Sequence, residues 1–223
     1  MAVVQRGMVF EGLSTDTKPT TGIGTNAVFL ERDTGMHYNW TGAAWAGPLL
    51  WDDLRTPVNA IRVPPARAPI WTAFKGTEVL AFSDQAIAGN EELVYFTVQM
   101  PHNWAEGTFI VCHIHFVPQD NTGGNVRWLL TYSWANQEAV FPGETTLTVD
   151  AACGNVTDAH KYGEFPDIVA DAVGKLISSM LVCKLQRNSS HANDTYDGKS
   201  AYLLEFDVHY QKDGLGSRQE LMK

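Results

Sequence analysis

The stretch GTFIVCHIHFVPQD, Gly107–Asp120, decides the fold class. Side chains alternate along a strand, so Phe109, Val111, His113, His115 and Val117 share one face while Cys112, Ile114 and Phe116 share the other. Apart from the two imidazoles both faces are apolar, which predicts a strand inside a sheet with its histidines at least partly buried.

Outward from it the same signal recurs. EVLAFS (78–83), EELVYFTVQM (91–100), NVRWLLTYSW (125–134), ETTLTVD (144–150), ISSMLVCKLQ (177–186) and AYLLEFDVHYQ (201–211) are β-prone runs, nearly all separated by turn residues. Only DIVADAVGKL (167–176) has a helical spacing of apolar positions, and Gly174 limits it to a few turns. Many strands and almost no helix predict an all-β protein, a β-sandwich or jelly roll over residues 48–223. Residues 1–47 form a separate, turn-rich segment. Within it NAVFLER and MHYNW, joined by DTG, predict a small hairpin. Such a hairpin must pack on something, with Trp40 and Trp45 as the contact surface.

Composition narrows the function. The 223 residues carry 16 basic and 25 acidic side chains, a formal charge of −9, which repels phosphate backbones and excludes nucleic acid as an expected partner. The start MAVVQRGMVFEG has no apolar export core, and no stretch reaches the roughly 20 apolar residues of a membrane span, so neither export nor membrane insertion is expected. Three widely spaced cysteines, Cys112, Cys153 and Cys183, form neither a disulfide framework nor a zinc pattern and read as apolar packing residues of a chain folded in a reducing cytoplasm. The Asn-x-Ser/Thr sequons at Asn39, Asn155, Asn188 and Asn193 carry no weight without an export route.

His113 and His115 raise the question of chemistry. Two imidazoles at i and i+2 can close on one divalent metal, and LLEFDVHY offers Glu205, Asp207 and His209 on one face. If that face met the histidines, a carboxylate from Glu205 or Asp207 would complete a two-histidine, one-carboxylate set. The favoured expectation is the plainer one: His113 and His115 are inner-face or subunit-interface histidines, hydrogen-bonded to neighbours, and no catalytic, cofactor-binding or metal residue is assigned. NDTYDG (193–198) lacks the ligand register of a calcium loop and reads as a turn, and QDNTGGN (119–125) reads as a hairpin connection rather than a phosphate cradle.

Two resemblances follow from these residues. Gly107, five residues, then His113, Ile114 and His115 is similar to the opening of the first cupin motif; it departs at Asp120, where a glutamate is due, and at Arg127, where a glycine is due, and no second motif follows. More broadly WDDLRTPVNAIRV, ELVYFTVQMPHNWAEGT, CHIHFVP, VRWLLTYSWAN, ISSMLVCKLQR and LLEFDVHYQKDGLGSRQE resemble tailed-bacteriophage virion proteins of the head-fibre, decoration or tail-adhesin type, over about residues 50–223. That resemblance implies a non-enzymatic homotrimer of jelly rolls, assembled in the bacterial cytoplasm. Residues 1–47 would fasten it to the major capsid protein or another virion protein. It names no site residue and no cofactor. A second expectation is an adhesin whose loops 119–125 and 188–199 present Asn, Asp, Tyr and His to a host surface glycan, and a third is a cupin-like metalloenzyme using His113 and His115. Trp51, Trp71 and Trp104 either line a subunit interface or fill the core.

Overall fold

The computed structural model describes residues 8–24, 27–33, 35–47, 50–214, 216–217 and 219–220. The expected boundary at 47/48 adjoins residues 48–49, which lie outside the described residues, as does the Met1–Gly7 start.

Four short strands, β1 (Val9–Gly12), β2 (Val28–Glu31), β3 (His37–Trp40) and β4 (Trp45–Ala46), make one small sheet in that order. The expected hairpin is β2–β3, but it is not alone: β1 adds in parallel to β2, and β4 pairs with β3. The two tryptophans pack against the aromatic side chains of this unit. Trp45 lies edge-on to Phe10, Phe29 and Trp40 at 5.3–5.9 Å, and its indole N–H donates to the Pro19 carbonyl. A two-stranded ribbon could not cover these rings, whereas four strands and the Pro19 loop bury Phe29 and partly cover Phe10, Trp40 and Trp45.

The remainder is a jelly roll. β5 (Leu50–Pro57), β6 (Ile70–Phe74), β7 (Thr77–Phe82), β9 (Ile110–Pro118), β12 (Lys161–Glu164) and β14 (Ala201–Lys212) form one sheet, and β8 (Leu93–Gln99), β10 (Asn125–Ala135), β11 (Thr145–Ala152) and β13 (Met180–Arg187) form the other. Orders β7-β14-β9-β12 and β8-β13-β10-β11 mean that the chain alternates between sheets in the double Greek-key manner. QDNTGGN is therefore not a hairpin connection, since it carries the chain from β9 across to β10 in the opposite sheet. The turn itself needs glycine: Gly124 has φ +98°, and a Cβ there would lie 2.5 Å from the Thr195 carbonyl oxygen. Nor does DIVADAVGKL form an α-helix. Its start pairs in extended form with Ile110, only Ala170–Ala172 turns as a 3-10 helix, and Gly174 at φ +74° ends it. Pairing with a strand end satisfies this backbone where a two-turn helix would have left most of its groups unbonded.

Alternation supplies the core. Cys112, Ile114 and Phe116 of β9 and Leu203, Phe206 and Val208 of β14 face Val94, Phe96 and Val98 of β8 and Trp128, Leu130 and Trp134 of β10. Phe96 meets Phe206 at 4.5 Å and Phe82 meets Trp128 at 5.1 Å, each fully buried side chain of this kind contributing on the order of 1.5–3 kcal/mol. Among these apolar groups sits one cation, Arg187, with no solvent exposure. Its Nε and Nη2 donate to the two oxygens of Asp194, Nη2 also to the Tyr196 carbonyl, and Nη1 to the carbonyls of Phe82 and Lys199. All five guanidinium donors are thereby used. Deleting one partner of a buried pair leaves a bare charge, so Asp194→Ala is expected to cost about 3–5 kcal/mol, read as a lowered denaturant midpoint with unchanged slope.

Candidate functional site

The register of β14 changes once, and that change builds the site. From Ala201 to Leu203 the strand pairs with Pro118 to Phe116, and a bulge at Leu204 then moves the pairing by one residue, so that Glu205 faces His115 and Asp207 faces His113. In the register of the first half, Phe206 would have stood opposite His113. Since a one-residue slip exchanges the faces of a strand, the bulge keeps Leu203 and Phe206 both in the core while turning Glu205, Asp207 and His209 outward over β9. The doubled leucine in AYLLEFD is the sequence trace of that extra residue.

On this outer face four strands bring their polar side chains together. Asp207, only 4% exposed, accepts from Nε2 of His115 at 3.1 Å through Oδ2, and Nε2 of His209 lies 3.3 Å from the same oxygen. Its other oxygen, Oδ1, is buried with no hydrogen bond and stands 3.7 Å from Nδ1 of His113. His113 Nδ1 also lies 3.2 Å from His209 Nε2, while its Nε2 is 3.2 Å from Glu164 of β12. His115 Nδ1 meets His160 Nε2 at 2.8 Å. Asp53 of β5 reaches His209 at 3.2 Å. Ligand atoms of His113, His115 and Asp207 all lie within 4.8 Å of one another, as do those of Asp53, Asp207 and His209.

Electrostatics follow the geometry. Burial raises the Asp207 carboxyl, but the His115 hydrogen bond and the facing imidazoles outweigh it and hold the group below the ordinary aspartate value. The hydrogen bond to Asp207 in turn raises His115, against the opposing effect of burial. Glu205, the other carboxylate considered from sequence, is drawn away: Arg55 of β5 clamps it with two donors at 2.9 and 2.5 Å.

The structure thus brings together His113, His115, Asp207 and His209, as the strand alternation allowed, and chooses Asp207 over Glu205. It adds His160, Glu164 and Asp53, which sequence reading missed. A signal for two of them existed, because His160, Tyr162 and Glu164 stand at alternate positions of one short run. Other expected residues lie elsewhere. Trp104 is fully buried in the core, whereas Trp51 and Trp71 are about half exposed, Trp51 lying edge-on to Phe109. In the 188–199 loop Tyr196 and Asp194 are buried, Tyr196 bonding Asp120 and Asp194 bonding Arg187, so neither is presented outward. The three thiols are buried; burial pushes Cys153 and Cys183 up to about 12 and raises Cys112 well above its ordinary value. A separate shallow cleft of about 630 Å³ opens beside the sheet edge, lined by Pro57, Val58, Asn59, Trp71, Thr77 and Glu78.

No protein-family model matches this chain, and no curated protein does. Among solved structures it is similar to the CBM35 of Abf62 from Cellvibrio japonicus (11% identity, TM-score 0.36, covering 74% of this chain and 100% of that one). It is also similar to CBM28, a non-crystalline cellulose specific carbohydrate-binding module (9%, 0.32, 69% and 86%), and to the α-L-arabinofuranosidase MgGH51 (13%, 0.31, 92% and 29%). The jelly roll is assigned from its own strand order, not from these likenesses.

The two carboxylates should differ in weight. In protein treated with a chelator, Asp207→Ala is expected to cost about 1–3 kcal/mol because it strands the half-buried imidazole donors of His115 and His209, whereas Arg55→Ala removes a solvent-screened pair worth less than about 1 kcal/mol; urea unfolding of both variants measures the contrast.

Proposed function

We propose that this chain is a non-enzymatic virion protein of a tailed bacteriophage, a homotrimer whose jelly roll decorates or projects from the particle. The reading is carried by the two-part build. Strands β1–β4 pair only with one another among the described residues and hold their own aromatic cluster, as an attachment unit would, while the jelly roll presents its outer faces. The phrases that resemble phage virion proteins run along the core strands β8, β9, β10, β13 and β14, where the fold itself is specified. In this reading the attachment unit grips the major capsid protein or a neighbour, and assembly takes place in the host cytoplasm.

A second reading, adhesion to a host surface glycan, is favoured by the cleft at Trp71. A half-exposed indole can stack on the apolar face of a sugar ring, with the Glu78 carboxylate and the Asn59 amide beside it to bond hydroxyls. The two readings are compatible on one particle, since they use different parts of the chain.

Mass spectrometry of purified particles should find the chain, and native mass spectrometry of the isolated protein should find three copies; absence from particles sinks the virion reading, and a monomer sinks the trimer. For adhesion, a glycan array should return a ligand whose affinity falls at least about tenfold in Trp71→Ala with the melting temperature unchanged.

A further inference from the structure

We propose that His113, His115 and Asp207 bind one divalent first-row transition-metal ion on the outer face of the β9–β14 pair. The inference does not depend on the virion reading.

The surroundings of the two imidazoles lead to it. Each has a polar partner behind it: Nε2 of His113 faces Glu164, and Nδ1 of His115 faces Nε2 of His160. Without an ion, Nε2 of His115 donates to Asp207 and Nδ1 of His113 meets Nε2 of His209. Ion binding would move the imidazole protons to the far nitrogens, where Glu164 and His160 accept them, and free Nδ1 of His113 and Nε2 of His115 as ligands beside the Asp207 carboxylate. This is the outer-shell arrangement that orients imidazole ligands, the far N–H being held by a carboxylate or another acceptor.

The buried carboxylate gives an independent indication. Asp207 is 4% exposed, and its Oδ1 has no hydrogen bond although it faces the pair. A hydrogen-bonded network alone leaves that oxygen unsatisfied, a costly state for a buried charged group. Its two oxygens stand 3.1 Å from His115 and 3.7 Å from His113, one to each imidazole. Ligands at about 2.1 Å from a shared ion are separated by roughly 3.0–3.4 Å, so small side-chain adjustments close the shell.

The neighbours decide the ion and the stoichiometry. Two nitrogens and one oxygen favour zinc, cobalt, nickel or iron over magnesium or calcium, which prefer all-oxygen shells. The second convergent set, Asp53, Asp207 and His209, shares Asp207 with the first. Nε2 of His209 lies 3.3 Å from Asp207 and 3.2 Å from Asp53, so in the loaded site it would donate to the shared carboxylate rather than ligate, which leaves one ion per chain. Such an ion would cross-link β9 to β14 at the bulge and keep open coordination positions on the solvent side.

The test uses untagged, chelator-treated full-length protein titrated with Zn²⁺ by calorimetry, and with Co²⁺ by its visible absorption. One ion per chain at micromolar affinity or tighter is expected, with a higher melting temperature on loading. His115→Ala and the isosteric Asp207→Asn should each weaken Zn²⁺ binding by about 100-fold or more, and Glu164→Gln by about tenfold, in variants whose circular dichroism shows the native fold. Should His115→Ala not fold, His115→Gln retains most of the side-chain volume and reads the same loss. Folded wild-type protein that takes up no Zn²⁺ at micromolar free ion overturns the proposal. So does wild-type affinity in both His115→Ala and Asp207→Asn.

Discussion

Much of this architecture hangs on the Arg187 guanidinium. A jelly roll must carry its chain repeatedly from one sheet to the other, and each crossing risks leaving backbone carbonyls buried without donors. Between β13 and β14 the problem is solved by a single side chain that serves the carbonyls of Phe82, Tyr196 and Lys199 at once, with Asp194 neutralising it. A hydrophobic residue there would fill the space but satisfy none of those carbonyls. The fixed fork of arginine suits the task in a way the point charge of lysine does not. Because the loop is clamped at both its start and its end, β14 enters the sheet at a defined residue.

That defined entry is what gives the bulge its meaning. Register in a buried strand is set by which residues must face inward, and β14 has two inward sets, Ala201 and Leu203 before Leu204, and Phe206, Val208 and Tyr210 after it. The extra residue reconciles them, and the outward face changes character at the same place, from Tyr202 to the acid and histidine row. Packing demands on one side of the strand thereby arrange the polar cluster on the other.

The sequence was informative where period-2 patterns are long. All seven main core strands from β7 to β14 but for β12 were legible, as was the parity that put His113 and His115 on one face and Asp207 and His209 on another. What alternation cannot report is which strands become neighbours, because pairing between residues 113 and 207 is set by the whole topology rather than by either segment. Glu205 and Asp207 were equivalent in sequence, and only Arg55, arriving on a strand of mixed charge that reads poorly as β, separates them. β12 is four residues long, too short for periodicity to reveal, and with it His160 and Glu164 went unseen. The helical spacing at 167–176 failed because short apolar spacings are ambiguous and a neighbouring strand end could take up its backbone. The small sheet of residues 9–46 exceeded the expected hairpin because β1 joins from across a loop, a parallel pairing that local turn chemistry does not encode.

The position of β14 has a consequence for synthesis. Residues 201–212 lie between β9 on one side and β5 and β7 on the other, so the strand translated last among those described is the spine of its sheet. Until it emerges from the ribosome, β9 and β7 present open edges with nothing to pair them, and the apolar face of that sheet has a gap through its middle. The jelly roll therefore cannot close before residues 201–212 have been made, and a nascent chain stalled before residue 201 is the species that chaperones must hold.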